Sequence, residues 1–230
     1  MSLPCMTSED NDQFDSALLD AAMALAASKG WASLTMPEIA RHAGLEMGEV
    51  RRRYPFKASV LLLLGRMADQ SALIDDGSLG TPRETLFDLL MRRIDVFQQY
   101  RAGLLAVLRG LPFDPPLLLL LGAATMDSMK WIAGAAGIST GGVGGLLRVQ
   151  GVVALWTHTL RAWEKDESED LGTTMAALEQ GLDRAERMGL FNGVDHAPTE
   201  ELQSAYPSED GDTLPPLQEE PDADFTENNG

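Results

Sequence analysis

From residue 12 to residue 192 apolar side chains return every three or four positions, and nowhere in that span do β-branched residues alternate with polar ones. A period near 3.6 gathers apolar groups on one stripe of an α-helix, whereas a period of two would line one face of a strand. The chain is therefore expected to be all-α. Apolar residues make up 44% of it but aromatic ones only 6%, so the helices should pack through Leu, Ala and Met rather than through large rings.

Local stop and start signals divide the stripe. A first helix from about Asp12 to Lys29 places Phe14, Leu18, Ala21, Ala22 and Leu25 on one face and stops at Gly30, after which Trp31 folds back over it. Thr35-Met36-Pro37-Glu38 is a capping box with Pro tolerated in the first turn, so a short second helix begins there and ends at Ala43-Gly44. Glu46 to Tyr54 reads as a third helix, closed by Pro55. Three short helices with a Gly turn make a helix-turn-helix head over residues 12–60.

Residues 61–192 read as a helical body. A fourth helix runs from Lys57 to about Ile74, and the loop Asp75 to Gly80 precedes a second capping box, Thr81-Pro82-Arg83-Glu84. The next helices are expected to reach Gln99 and to cover Arg101 to Arg109. Leu111 to Pro116 then breaks the chain before a buried helix through Ala136. After the Gly-rich stretch 137–145, Leu146, Val149, Val153, Trp156, Leu160 and Trp163 recur at alternating intervals of three and four. A last helix from about Glu169 to Met188 aligns Leu171, Met175, Leu178 and Leu182.

Two such terminal helices suit a four-helix bundle across a two-fold axis, so a homodimer is expected. Val149, Val153, Leu160, Trp163, Met175, Leu178 and Leu182 form its interface in this reading, with His158 packed beside it. The body's candidate ligand-lining set is Leu104, Leu108, Leu118, Leu121, Met126, Met129, Trp131 and Trp156. Met suits such a lining because its flexible thioether moulds to varied partners.

A formal charge of -17 argues against a nucleic-acid partner until its distribution is considered. Residues 193–230 carry 11 acids and no Lys or Arg, leaving 24 acids against 18 bases elsewhere, a net of -6. That tail and residues 1–11 are expected to be disordered, because neither has the apolar content to fold. Arg41 to Lys57 runs the other way, with five bases and two acids. Arg51, Arg52, Arg53 and Lys57 are placed to meet phosphates or base edges. Glu46 and Glu49 oppose them, each at a cost on the order of 1 kcal/mol against a polyanion unless neutralised by an Arg one turn away.

Other chemistries find little support. The single cysteine, Cys5, excludes an intrachain disulfide and fits the cytoplasm. No signal peptide is evident, and the most apolar run, Leu117 to Met126, is about half of the roughly 20 residues a bilayer requires, so no transmembrane segment is expected. His42, His158 and His196 stand far apart, and Ser139-Thr140-Gly141-Gly142 lacks the Lys of a phosphate-binding loop. Neither a metal nor a cofactor is expected, and no nucleophile or acid/base pair suggests an enzyme.

Leu19-Asp20-Ala21-Ala22, Gly30-Trp31, Leu34 to Ala40, Ala43-Gly44-Leu45 and Tyr54-Pro55-Phe56-Lys57 follow a recognisable order and spacing. Over about Phe14 to Leu64 the chain resembles the TetR-family transcription regulators. The resemblance implies a TetR-like fold and a dimeric repressor of double-stranded operator DNA, released when a small hydrophobic effector enters the body. It implies a DNA-facing set of Thr35, Met47, Gly48, Arg51, Arg52, Arg53, Tyr54 and Lys57. The chain departs from the family pattern at Glu46, Met47, Glu49 and Arg51, where a small hydroxyl, Lys, Thr and Tyr are usual.

A second resemblance rests on Ser128, Trp131, Ala133-Gly134, Ser139-Thr140, Leu147-Arg148, Trp163, Asp166, Ser168, Asp170, Thr173-Thr174 and Leu178. Here the chain is similar to the ubiquinone-biosynthesis accessory proteins, lipid binders that use a TetR-like fold without reading DNA. It implies an apolar pocket for an isoprenoid or acyl lipid.

Overall fold

The structure, a computed structural model, describes residues 8–74 and 80–192. Among them are nine α-helices and no β-strand: α1 (Ser8–Lys29), α2 (Met36–Ala43), α3 (Met47–Arg53), α4 (Ala58–Ala72), α5 (Pro82–Gln99), α6 (Arg101–Gly110), α7 (Pro115–Ala135), α8 (Gly142–Lys165) and α9 (Gly172–Arg187). Single 3-10 turns at Trp31–Ser33 and Leu111–Phe113 join α1 to α2 and α6 to α7. The expected tail and most of the leader lie outside the described residues.

Helix α1 begins at Ser8 rather than Asp12. Glu9 and Asp10 fall in its first turn, where carboxylates favour the positive end of the helix dipole. At Thr35 the backbone N–H and the hydroxyl donate to the Glu38 carboxylate at 3.1 and 2.9 Å, and Thr81 repeats the arrangement with Glu84. Helix α2 ends at Gly44, whose φ of 67° is the left-handed conformation that an L side chain resists. That turn directs the Leu45 N–H back to the Ala40 carbonyl at 2.9 Å and re-aims the chain into α3.

Leu18, Ile39, Val50, Trp31 and Tyr54 close the head around one core. Its link to the body is tight: a Cβ added at Gly103 on α6 would lie 2.5 Å from the Met23 carbonyl oxygen of α1, so only glycine lets these helices approach so closely. In the body, α4 lies against α5 and α7, and α8 lies along α9.

Three expectations for the body are corrected. Helix α8 starts at Gly142, inside the supposed loop, with the Gly145 N–H bonded to the Gly141 carbonyl at 3.0 Å. Tertiary packing of buried Gly145 overrides glycine's poor helix propensity, about 1 kcal/mol per residue. Helix α7 is not uniformly buried, since Leu119 and Trp131 stand exposed at 76% and 67%. Its 21 residues are also long and apolar enough to cross a membrane by length and composition, which the ten-residue run understated. In this fold Met129, Ile132 and Ala133 of the same helix are buried in the body core.

The terminal-helix stripe also differs. Trp163, Leu178 and Leu182 have no exposed surface, and Val149 is buried. These side chains fill the protomer itself, because a heptad-like stripe serves an intramolecular neighbour as well as an external one.

Candidate nucleic-acid interface and ligand cavity

Helix α3 is short, and most of its polar groups answer to one another. Glu46 is its N-cap and accepts from the Glu49 N–H at 2.7 Å. Hydrogen bonds from the backbone N–H of Gly48 and of Glu49 hold the Glu46 carboxyl below the usual range. Glu49 is held low as well, first by the side-chain hydrogen bond from Arg52 and then by that from Arg53. Arg52 approaches its carboxylate through Nε at 3.1 Å, and Arg53 binds the other oxygen. Of the two carboxylates that oppose a polyanion, Glu49 is thus paired with cations of its own helix, while Glu46 stays ionised as the helix cap.

The DNA-facing set divides by exposure. Met47, Gly48, Arg51 and Arg52 are exposed; Arg51 also donates to the Pro55 carbonyl. Thr35 is exposed, but its hydroxyl is engaged by Glu38. Arg53 stacks over the Phe14 ring at 4.3 Å. Tyr54 is buried beside Asp15 and Arg66, and burial pushes its hydroxyl above the usual range. Lys57 donates to the Trp31 carbonyl at 2.8 Å and sits 5.1 Å from the centre of the Trp31 ring; burial lowers its pKa. The last three therefore brace the head. A shallow groove of about 300 Å3 between α2 and α3 adds Met36 and Pro37 to the surface that Met47 and Arg51 share. Pro37 is exposed there and Met36 half-buried against the head core.

Behind the head, α4 to α8 line a cavity of about 510 Å3 that is open to solvent on one side, within the range of small-molecule sites. Leu104, Leu108, Leu118, Leu121 and Trp156 of the expected set line it. Met129 does not, being wholly buried in the core, and Trp131 faces outward; Met126 is instead 3.6 Å from the Gln150 amide nitrogen through its sulfur. Val153 and Leu160, expected at a dimer interface, line the cavity. The sequence reading missed its polar residues, above all Asp69 on α4, Arg93 on α5 and Ser128 on α7. Arg93 is 3% exposed and forms an ion pair with Asp69, whose other oxygen accepts from the Ser128 hydroxyl. The guanidinium carbon lies 5.0 Å from the centre of the Trp156 ring, and burial brings its pKa down to about 10.

A second groove, about 520 Å3, runs between α8 and α9, lined by Gly144, Leu147, Gly151, Ala154, His158, Gly181 and Met188 among others. Among the described residues no group of three or more His, Cys, Asp or Glu is placed to hold a metal.

Residues 18–64 match the family model described as bacterial regulatory proteins, tetR family. The head is a TetR-family helix-turn-helix domain. The match covers α2, α3, the turn at Gly44 and most of α1, so the geometry above belongs to that family's head. The whole described fold is TetR-like. A TetR transcriptional regulator from Nitrosomonas europaea ATCC 19718 superposes with a TM-score of 0.63 at 19% identity, covering 75% of this chain and 98% of that one. A TetR-family regulator from Streptomyces coelicolor A3 gives 0.55 at 16%, covering 83% and 100%. One from Rhodococcus sp. RHA1 gives 0.53 at 18%, covering 78% and 98%. No curated protein matches the chain. Several residues of the quinone-accessory resemblance have structural duties: Asp166 binds Ser168 and Thr174, and Trp163 and Leu178 are core.

Proposed function

We propose that this chain is a DNA-binding transcription regulator acting in the cytoplasm, a repressor that binds operator duplex as a homodimer and releases it when a small, mostly apolar effector fills the body cavity. The observation that carries the reading is the exposed pair Arg51 and Arg52 on the third helix of a TetR-family head, where Glu49 is paired within the helix and Glu46 is held at its N-cap. Arg is suited to this task because its planar fork meets guanine edges and phosphates two bonds at a time. The resemblance supplies the repressor role and effector release, and the mostly apolar cavity supports a small effector.

The groove between α8 and α9 suits a second copy. Gly144, Gly151, Ala154 and Gly181 keep its floor low, and Leu146, Leu147 and Met188 stand exposed beside or within it. Small residues between larger apolar ones let helices of two protomers approach closely. This face takes the place of the buried stripe.

Fluorescence anisotropy with the duplex upstream of the chain's own gene tests the proposal. Affinity should fall steeply from about 50 to about 200 mM salt. Arg51→Ala combined with Arg52→Ala should weaken binding at least about tenfold, with helical circular dichroism unchanged. Undiminished binding by that variant would remove α3 from the reading.

A further inference from the structure

Resting on the reading of the body cavity as the effector site, the structure assigns a class to the ligand: we infer a neutral amphiphile whose apolar chain ends in a carbonyl, with the carbonyl oxygen seated on Arg93.

The cavity walls are mostly Leu, which suits an alkyl chain and sets no orientation. Its polar end does. Arg93 is almost wholly enclosed, yet its Nε finds no hydrogen-bond acceptor among the described residues. A buried donor without a partner is destabilising, and such groups are rare enough to need a cause. Asp69 meets Arg93 through Nη1 and accepts from Ser128 at its other oxygen, and neither oxygen forms a hydrogen bond with Nε. What the site lacks is therefore an acceptor for an N–H.

Charge decides which acceptor. The ionisable residues lining the cavity are Arg66, Asp69, Arg93 and Asp127, two of each sign. A carboxylate entering this balanced site would bring an unmatched negative charge next to Asp69, and burying an unpaired ion is expensive. A ketone, ester or amide oxygen brings a lone pair without the charge. A pure hydrocarbon would leave Nε as it is.

Isothermal titration of the full chain with 2-nonanone and with octanoate reads the difference directly. The ketone should bind at least about tenfold more tightly, and Arg93→Met should remove that preference. Because Arg93→Met strands Asp69, the double variant Asp69→Asn, Arg93→Met is run beside it, with circular dichroism to verify folding. The carbonyl stretch of bound 2-nonanone provides a reading without any substitution: it should lie at lower wavenumber in the wild type than in the double variant. Tighter octanoate binding would show an anion site and overturn the inference, as would equal affinities, no binding of either probe, or a stretch unchanged by the substitutions. DNA binding is measured separately on ligand-free protein. A chain that prefers the ketone but binds no duplex would sink the regulator proposal and leave the ligand class standing, while the reverse result would do the opposite.

Discussion

Glu49 receives Arg52 from three residues along the helix and Arg53 from four, both salt bridges within α3. On an isolated helix such pairs contribute a few tenths of a kcal/mol, so their weight in stability is small. Their effect on recognition is larger, because each guanidinium that faces Glu49 is partly withdrawn from any phosphate. Glu49→Gln removes the carboxylate and releases Arg52, while Arg53 keeps its place over Phe14. Its affinity for duplex DNA should rise about threefold to tenfold at moderate salt, with a salt slope steeper by about one; anisotropy across a salt series measures both. A fall in affinity would mean that Glu49 holds the arginines in the reading geometry. Glu46 is different, since its carboxylate caps the helix it precedes and is needed there.

Among the elements, α9 has the most elaborate start. Asp166 is buried and accepts from the Thr174 N–H and hydroxyl, both at 2.7 Å, and from the Ser168 hydroxyl at 2.5 Å. The Ser168 side-chain bond chiefly, with Thr174 in support and burial opposing, holds this carboxyl far below its usual range. A folded value below the unfolded one, about 3.9, gives stability that is fully present above the unfolded pKa and is lost as pH falls towards the folded one. The wild type should therefore lose more thermal stability than Asp166→Asn between about pH 4 and pH 2, as differential scanning calorimetry across pH would record. Parallel losses in the two proteins would show that this carboxyl does not drive the acid transition.

The same contrast between near and distant partners explains what the sequence reveals. The caps at Thr35 and Thr81 and the turn at Gly44 involve residues three or four apart, and their chemistry is legible locally. So is the head, whose exposed arginines follow from a basic run on a short helix. The cavity's polar end is not: Asp69, Arg93 and Ser128 come from three helices, and no short pattern joins them. An apolar stripe does not say which neighbour will cover it, and at Val153 and Leu160 the neighbour is a cavity rather than a second protomer. Met129 and Trp131 failed as ligand-lining residues for a related reason: two positions apart on α7, they face opposite ways.

At the scale of the molecule, the head's basic surface lies within a chain of net charge -17. In the proposed reading, long-range steering towards DNA is weak under that balance, and recognition would depend on short contacts by α3. A two-fold assembly would double those contacts and present two α3 helices to successive turns of one groove. Helix α4 bears Asp69 at the cavity and Tyr54's neighbour Arg66 near the head, so a ligand that alters the Asp69 and Arg93 pair acts on the element joining the two regions.

The most direct test is selection of duplexes from a random library by the full chain, followed by sequencing of what is retained. A DNA-reading homodimer predicts one enriched motif of two inverted half-sites with centres about one helical turn or a multiple apart, absent when Arg51 and Arg52 are both replaced by Ala. Retention of duplexes without any enriched sequence, or an enrichment indifferent to those two substitutions, would contradict the account.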